Sequence, residues 1–107
     1  MTELEAHIRA TLLADTHDHL AMEEACCHPG PDVLVDLFAG GYSPPDLIVA
    51  GASQADVDCL LDAANPDIAG RFARVAPAWE RCQYTGYGEA LKRAAEIVYG
   101  LDEITPE

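Results

Sequence analysis

Positive charge is what this sequence has least of. Six Lys and Arg stand against nineteen Asp and Glu, a formal net charge of −13 at pH 7. A field of that sign repels nucleic acid and anionic membranes and steers the chain toward basic partners. Direct nucleic-acid and membrane binding are therefore set aside. Long apolar runs are missing too, and none approaches the roughly 18–20 residues of a membrane span. Glu3 and Glu5 occupy the N-terminal stretch where an export signal carries Lys or Arg, so the expected compartment is the cytoplasm. Serine is limited to Ser43 and Ser53, both better suited to capping helices than to nucleophilic attack. A phosphate-binding glycine loop is also lacking, because Gly86-Tyr87-Gly88 is too short and follows no strand. No cofactor and no enzymatic activity are expected.

What is present suffices for a core. Half of the 107 residues are hydrophobic, enough for one domain and too few for two. The expected domain spans 1–107, with 102–107 frayed. The four cysteines, at 26, 27, 59 and 82, are expected as free thiols in a reducing compartment.

Helix signals dominate the chain. Thr2 with Glu5 is a capping-box pattern. Apolar residues from Leu4 to Cys27 then recur at helical spacing without Gly or Pro, which predicts a first helix over 3–28. Asp32–Ala39 and Ser43–Ala50 read as short helices, the second with Ser43 as its cap. A small α/β arrangement with 33–38 and 46–50 as strands is the alternative. Ser53 with Asp56 caps a helix reaching about Asn65, and Asn65-Pro66 introduces the next. In that next helix Ile68, Phe72, Val75, Trp79 and Cys82 form an apolar stripe, with a kink or break expected at Pro77. A turn over 84–88 precedes a last helix, Glu89 to Tyr99, with Leu91, Ala94, Ala95 and Val98 inward. The fold class is thus all-α, a bundle of five or six helices.

The acids are unevenly placed. Thirteen lie before residue 71, against Arg9 alone, while residues 71–107 hold six acids and five bases. The expected partner-binding face comprises Asp15, Asp18, Glu23, Glu24, Asp36, Asp56, Asp58 and Asp62. A weaker aromatic and basic candidate comprises Tyr84, Tyr87 and Arg81, residue types favoured at interface centres. The plain alternative is that the acids confer solubility and the tyrosines brace a turn.

Three further patterns bear on chemistry. Asp15, His19, Glu23 and Cys27 share one face of the expected first helix, with His17, Cys26 and His28 nearby, and such ligands can share an ion. The same spacing suits ordinary surface pairs, and no metal is assigned. Cys26 and Cys27 sit at a helix C-terminus among acids, which disfavours a thiolate. Leu47 to Leu61 (LIVAGASQADVDCLL) resembles a helix-turn-helix motif, with Gly51 at the turn and Val57 and Leu60 as core positions. Its would-be recognition helix presents Asp56, Asp58 and Asp62 and no base, so it would repel a duplex.

The expected function is an acidic module that binds a protein with a basic, nucleic-acid-binding surface. In size, charge and lack of a catalytic set the chain is similar to phage-encoded DNA mimics and anti-CRISPR proteins, which implies an inhibitor. The alternatives are a small metal-dependent or thiol enzyme built on the first helix, and a helix-turn-helix regulator.

Overall fold

Side-chain caps decide where most of the helices begin. The computed structural model describes residues 1–14, 16 and 32–106. Over these the protein is all-α, with no strand among the described residues. The elements are α1 (Glu3–Ala10), α2 (Val33–Phe38), α3 (Ser43–Val49), α4 (Gln54–Leu60), α5 (Ile68–Cys82) and α6 (Gly86–Ala94). A π-helical turn, Ala95–Tyr99, continues α6. Segments 33–38 and 46–50 are therefore not strands. The Asp32 cap of the first segment and the short lengths set by Pro and Gly in both favour helices there, where apolar content alone left both options open.

Thr2 and Glu5 form the expected capping box of α1. The helix nevertheless ends at Ala10, and residues 11–14 and 16 are not helical, which corrects the expected 3–28 helix. Thr11 is extended, and its hydroxyl donates to the His7 carbonyl at 2.7 Å. No residue of α1 is buried, and Leu12 and Leu13 are exposed. A helix of this length gains little without burial, so apolar spacing by itself overstates its extent among the described residues. The rest of the expected helix lies outside the described residues.

Asp32 caps α2 by accepting from the Val35 amide at 3.0 Å. In α3 the cap position falls on Tyr42 rather than Ser43, and no side chain serves it. Pro44 and Pro45 explain this, because they occupy the positions whose amides a cap would satisfy and have no N–H. Gly51 turns the chain into α4 at φ +115°, a conformation L side chains rarely adopt. Ser53 and Asp56 form the expected capping box of α4. The helix stops at Leu60, short of the expected Asn65, where the Arg71 side chain takes its last carbonyls. Asp67, not Asn65, caps α5, accepting from Gly70.

Helix α5 organises the core by packing against α3 and α4. Phe72, Val75, Trp79 and Cys82 are buried along the predicted stripe. The helix runs unbroken through Pro77. Pro77 and Ala73, whose carbonyl loses its intrahelical donor, are both exposed, so water can serve that carbonyl. Phe38 of α2 meets the Trp79 ring edge-on at 5.4 Å and Phe72 at 6.1 Å. Leu34, Leu37, Leu47, Ala52, Val57, Leu60, Ala78 and Ala95 complete the interior, and Ile104 packs against it.

The turn expected over 84–88 is in part the first turn of α6. Thr85 Oγ1 accepts from the Gly88 amide at 3.1 Å and donates to the Cys82 carbonyl at 2.8 Å. Ala95 is buried and Leu91 and Ala94 pack against the core, but Val98 is 69% exposed. The π-helical turn supplies the reason. Its wider turn shifts the phase of everything after Ala95, so a position read as inward at α-helical spacing emerges outward. No helix among the described residues is long and apolar enough to cross a membrane.

Candidate functional site

The chain has few bases, and folding engages most of them. Arg71 sits on the apolar stripe of α5, three residues after Ile68, and its side chain is fully buried. Its Nη1 pairs with Asp32 Oδ2 at 2.7 Å and donates to the Asn65 carbonyl at 3.0 Å. Nη2 donates to the Leu60 carbonyl at 2.6 Å. Arg74 pairs with Asp56 at 2.9 Å, Lys92 with Glu89 at 2.6 Å, and Arg93 with Glu96. Arg81 donates to the Ala50 carbonyl at 2.8 Å and so ties α5 to the end of α3.

The expected acidic residues divide accordingly. Asp15, Asp18, Glu23 and Glu24 lie outside the described residues. Asp56 is engaged by the Ser53 hydroxyl and amide and by Arg74, which together hold its carboxyl below the usual range. Asp36, on α2, accepts from the Tyr99 hydroxyl at 2.7 Å. Asp58, on α4, and Asp62, two residues past its end, are both exposed. Asp58 accepts only from the Gln54 amide among the described residues, and Asp62 from the Ala64 amide. The structure therefore leaves Asp58 and Asp62 exposed and ties Asp56 and Asp36 to other elements.

The aromatic candidates also separate. Tyr84 is 74% exposed, with Lys92 Nζ 4.6 Å from its ring centroid. Tyr87, in the first turn of α6, lies against Tyr42 with centroids 4.9 Å apart and rings tilted by 36°. Tyr42 was not singled out in the sequence, because its role depends on α6 folding back to the start of α3. Asp46 stands one turn along α3 from Tyr42 and lines a narrow crevice with Tyr87, Cys82 and Thr85. Arg81 joins neither tyrosine, since its guanidinium is directed at the end of α3.

The residues weighed for metal, His17, His19, Cys26, Cys27 and His28 with Asp15 and Glu23, lie outside the described residues. Among the described residues no group of three His, Cys, Asp or Glu could hold an ion. Cys59 and Cys82 are free thiols. Burial first, and the nearby Asp46 charge second, push the Cys82 thiol pKa up, which opposes formation of a nucleophilic thiolate. An open cleft of about 490 Å³ beside the C-terminal segment is lined by Phe72, Trp79, Tyr84, Lys92 and Ile104. Its lysine is already engaged by Glu89 and Tyr84.

Comparison with protein families, with characterised proteins and with solved structures gives no match to this chain.

Proposed function

We propose that the protein is an acidic docking module that acts by binding, not catalysis, and covers a basic surface of a partner protein. In its sharpest form that surface is one the partner uses for nucleic acid. The chain is then an inhibitor of the DNA-mimic or anti-CRISPR type, encoded by a phage or mobile element and acting in the cytoplasm. One observation carries the reading: Asp58, on α4, and Asp62, just beyond its end, are exposed without a basic partner among the described residues, while Arg71, Arg74, Lys92 and Arg93 pair with Asp32, Asp56, Glu89 and Glu96. Arg74 offsets only Asp56, so the acidic excess at Asp58 and Asp62 persists and favours association with a cationic surface.

The test is capture of binding proteins from nuclease-treated host lysate, followed by competition. A genuine target is a nucleic-acid-binding protein that the chain displaces from DNA. The complex should dissociate as salt rises from about 0.1 to about 1 M, over which the Debye length falls from about 10 to about 3 Å. Asp58→Asn with Asp62→Asn should weaken capture. A target held unchanged at high salt, or by this double variant, would overturn the reading.

A second reading has its own observation. Helices α3 and α4 meet across the Gly51 turn and pack on α5, an arrangement compatible with a helix-turn-helix regulator. The outer helix, QADVDCL, carries two aspartates and no base, which repels phosphates spaced about 1.7 Å apart along a duplex axis. In the preferred reading this corner contacts protein. Retardation of random DNA by the chain at low salt would favour the regulator instead.

A further inference from the structure

Lys92 is held by a ring and a carboxylate of the chain itself. Lys92 Nζ stands 4.6 Å from the Tyr84 centroid and 2.6 Å from Glu89 Oε1, a ring and a carboxylate around one positive charge. The same set of groups recurs at the junction of α3 and α6. Tyr42 and Tyr87 form a tilted pair with centroids 4.9 Å apart, and they remain 60% and 51% exposed. Asp46 lies one turn from Tyr42, its amide bonded to the Tyr42 carbonyl at 3.0 Å, and it lines the same crevice as Tyr87. Among the described residues no base pairs with Asp46 and no cation lies over either ring.

From this we infer that Tyr42, Tyr87 and Asp46 form a subsite for an arginine side chain presented by the basic partner. The inference rests on the reading of the chain as an acidic docking module. The two rings lean on each other, so an outward ring face is left on which a planar guanidinium can stack, with the Asp46 carboxylate one helical turn from Tyr42 as acceptor for its N–H fork. An ammonium is a hydrated point charge and cannot stack flat on a ring face. The formal net charge of −13 draws the basic segment in, and the aromatic pair selects the residue that docks.

Titration of isotope-labelled protein with oligo-arginine and oligo-lysine peptides of equal length, followed by amide NMR shifts, tests this directly. The arginine peptide should bind more tightly and move the signals of Tyr42, Asp46 and Tyr87. Tyr42→Ala or Tyr87→Ala should weaken it by about 2- to 5-fold each, the worth of an exposed cation–π contact. Asp46→Asn should weaken it as well, whereas Tyr87→Phe should keep binding. Both tyrosines are exposed, so the fold should survive; Tyr42→Leu and Tyr87→Leu preserve apolar bulk should either alanine variant unfold. If both peptides bind equally and the tyrosine variants change nothing, the subsite is wrong while the acidic-module reading stands. Shifts confined to Asp58 and Asp62 would have the same meaning. If neither peptide binds at low salt, both readings fall.

Discussion

The guanidinium of Arg71 meets the carboxylate of Asp32 at 2.7 Å, and the same carboxylate caps α2. Because Arg71 also donates to the Leu60 and Asn65 carbonyls, one buried side chain joins α5 to the start of α2 and the end of α4. Truncation of either partner leaves the other charge without its ion pair. Arg71→Ala is expected to destabilise by about 3–5 kcal/mol, the usual consequence of breaking a buried pair. Asp32→Ala should fall in the same range, with loss of the cap adding about 1 kcal/mol. Denaturant unfolding of the two single variants and the double variant measures this; a double variant as unstable as the sum of the singles would mean that the residues act independently.

The same pair predicts an acid-sensitive fold. The hydrogen bond from Arg71, followed by smaller contributions from the Val35 amide and the Arg71 charge, holds the Asp32 carboxyl below its ordinary value. A carboxylate with a lowered folded pKa contributes stability that is complete above its unfolded pKa, about 3.9. That stability is lost as pH falls through the folded value. Thermal midpoints should therefore drop below about pH 4. Asp32→Asn should flatten this dependence, and an unchanged slope would show that other carboxylates control it.

Gly88 is buried in the first turn of α6, where an added Cβ would lie 2.6 Å from the Cys82 carbonyl oxygen and closer still to that of Gln83. These are backbone atoms and have little room to yield. Gly88→Ala should be destabilising although alanine is the better helix former. Gly86→Ala, two residues earlier with open space around it, should be neutral or stabilising by up to about 1 kcal/mol. Opposite signs in melting temperature are the expected result.

Tyr99 reaches Asp36 through the π-helical turn, its hydroxyl donating at 2.7 Å. That hydrogen bond is the main reason its phenol pKa lies above the ordinary tyrosine value. Site-specific NMR titration of the Tyr99 ring should show ionisation above the ordinary tyrosine range, and Asp36→Asn should bring it down. A raised folded pKa contributes stability below the unfolded value, about 10, that is lost as pH rises through the folded one.

Much of the helical plan was legible along the chain. The Ser53–Asp56 capping box, the Phe72–Cys82 stripe and the place of Trp79 in the core follow from local chemistry and 3.6-residue spacing. The extent of α1 was not legible, because Leu4, Ile8 and Leu12 show the spacing of a buried face without burial. Val98 was misplaced because one π-helical turn alters the phase that periodicity assumes to be constant. Arg71 could have been suspected from its position three residues after Ile68 on an otherwise apolar stripe. Its partner, thirty-nine residues earlier, gives no local sign.

By itself the sequence determined the all-helical class, most helix starts and the excess of negative charge, because caps, propensities and ionisation act within a few residues. Only the tertiary structure decided which charges stay free. It placed Arg71 inside against Asp32 and paired Arg74 with Asp56, leaving Asp58 and Asp62 outward. It also set Tyr87 against Tyr42. Ion pairing and ring stacking depend on distance in space, and contacts between residues remote in the chain exist only once the helices have packed.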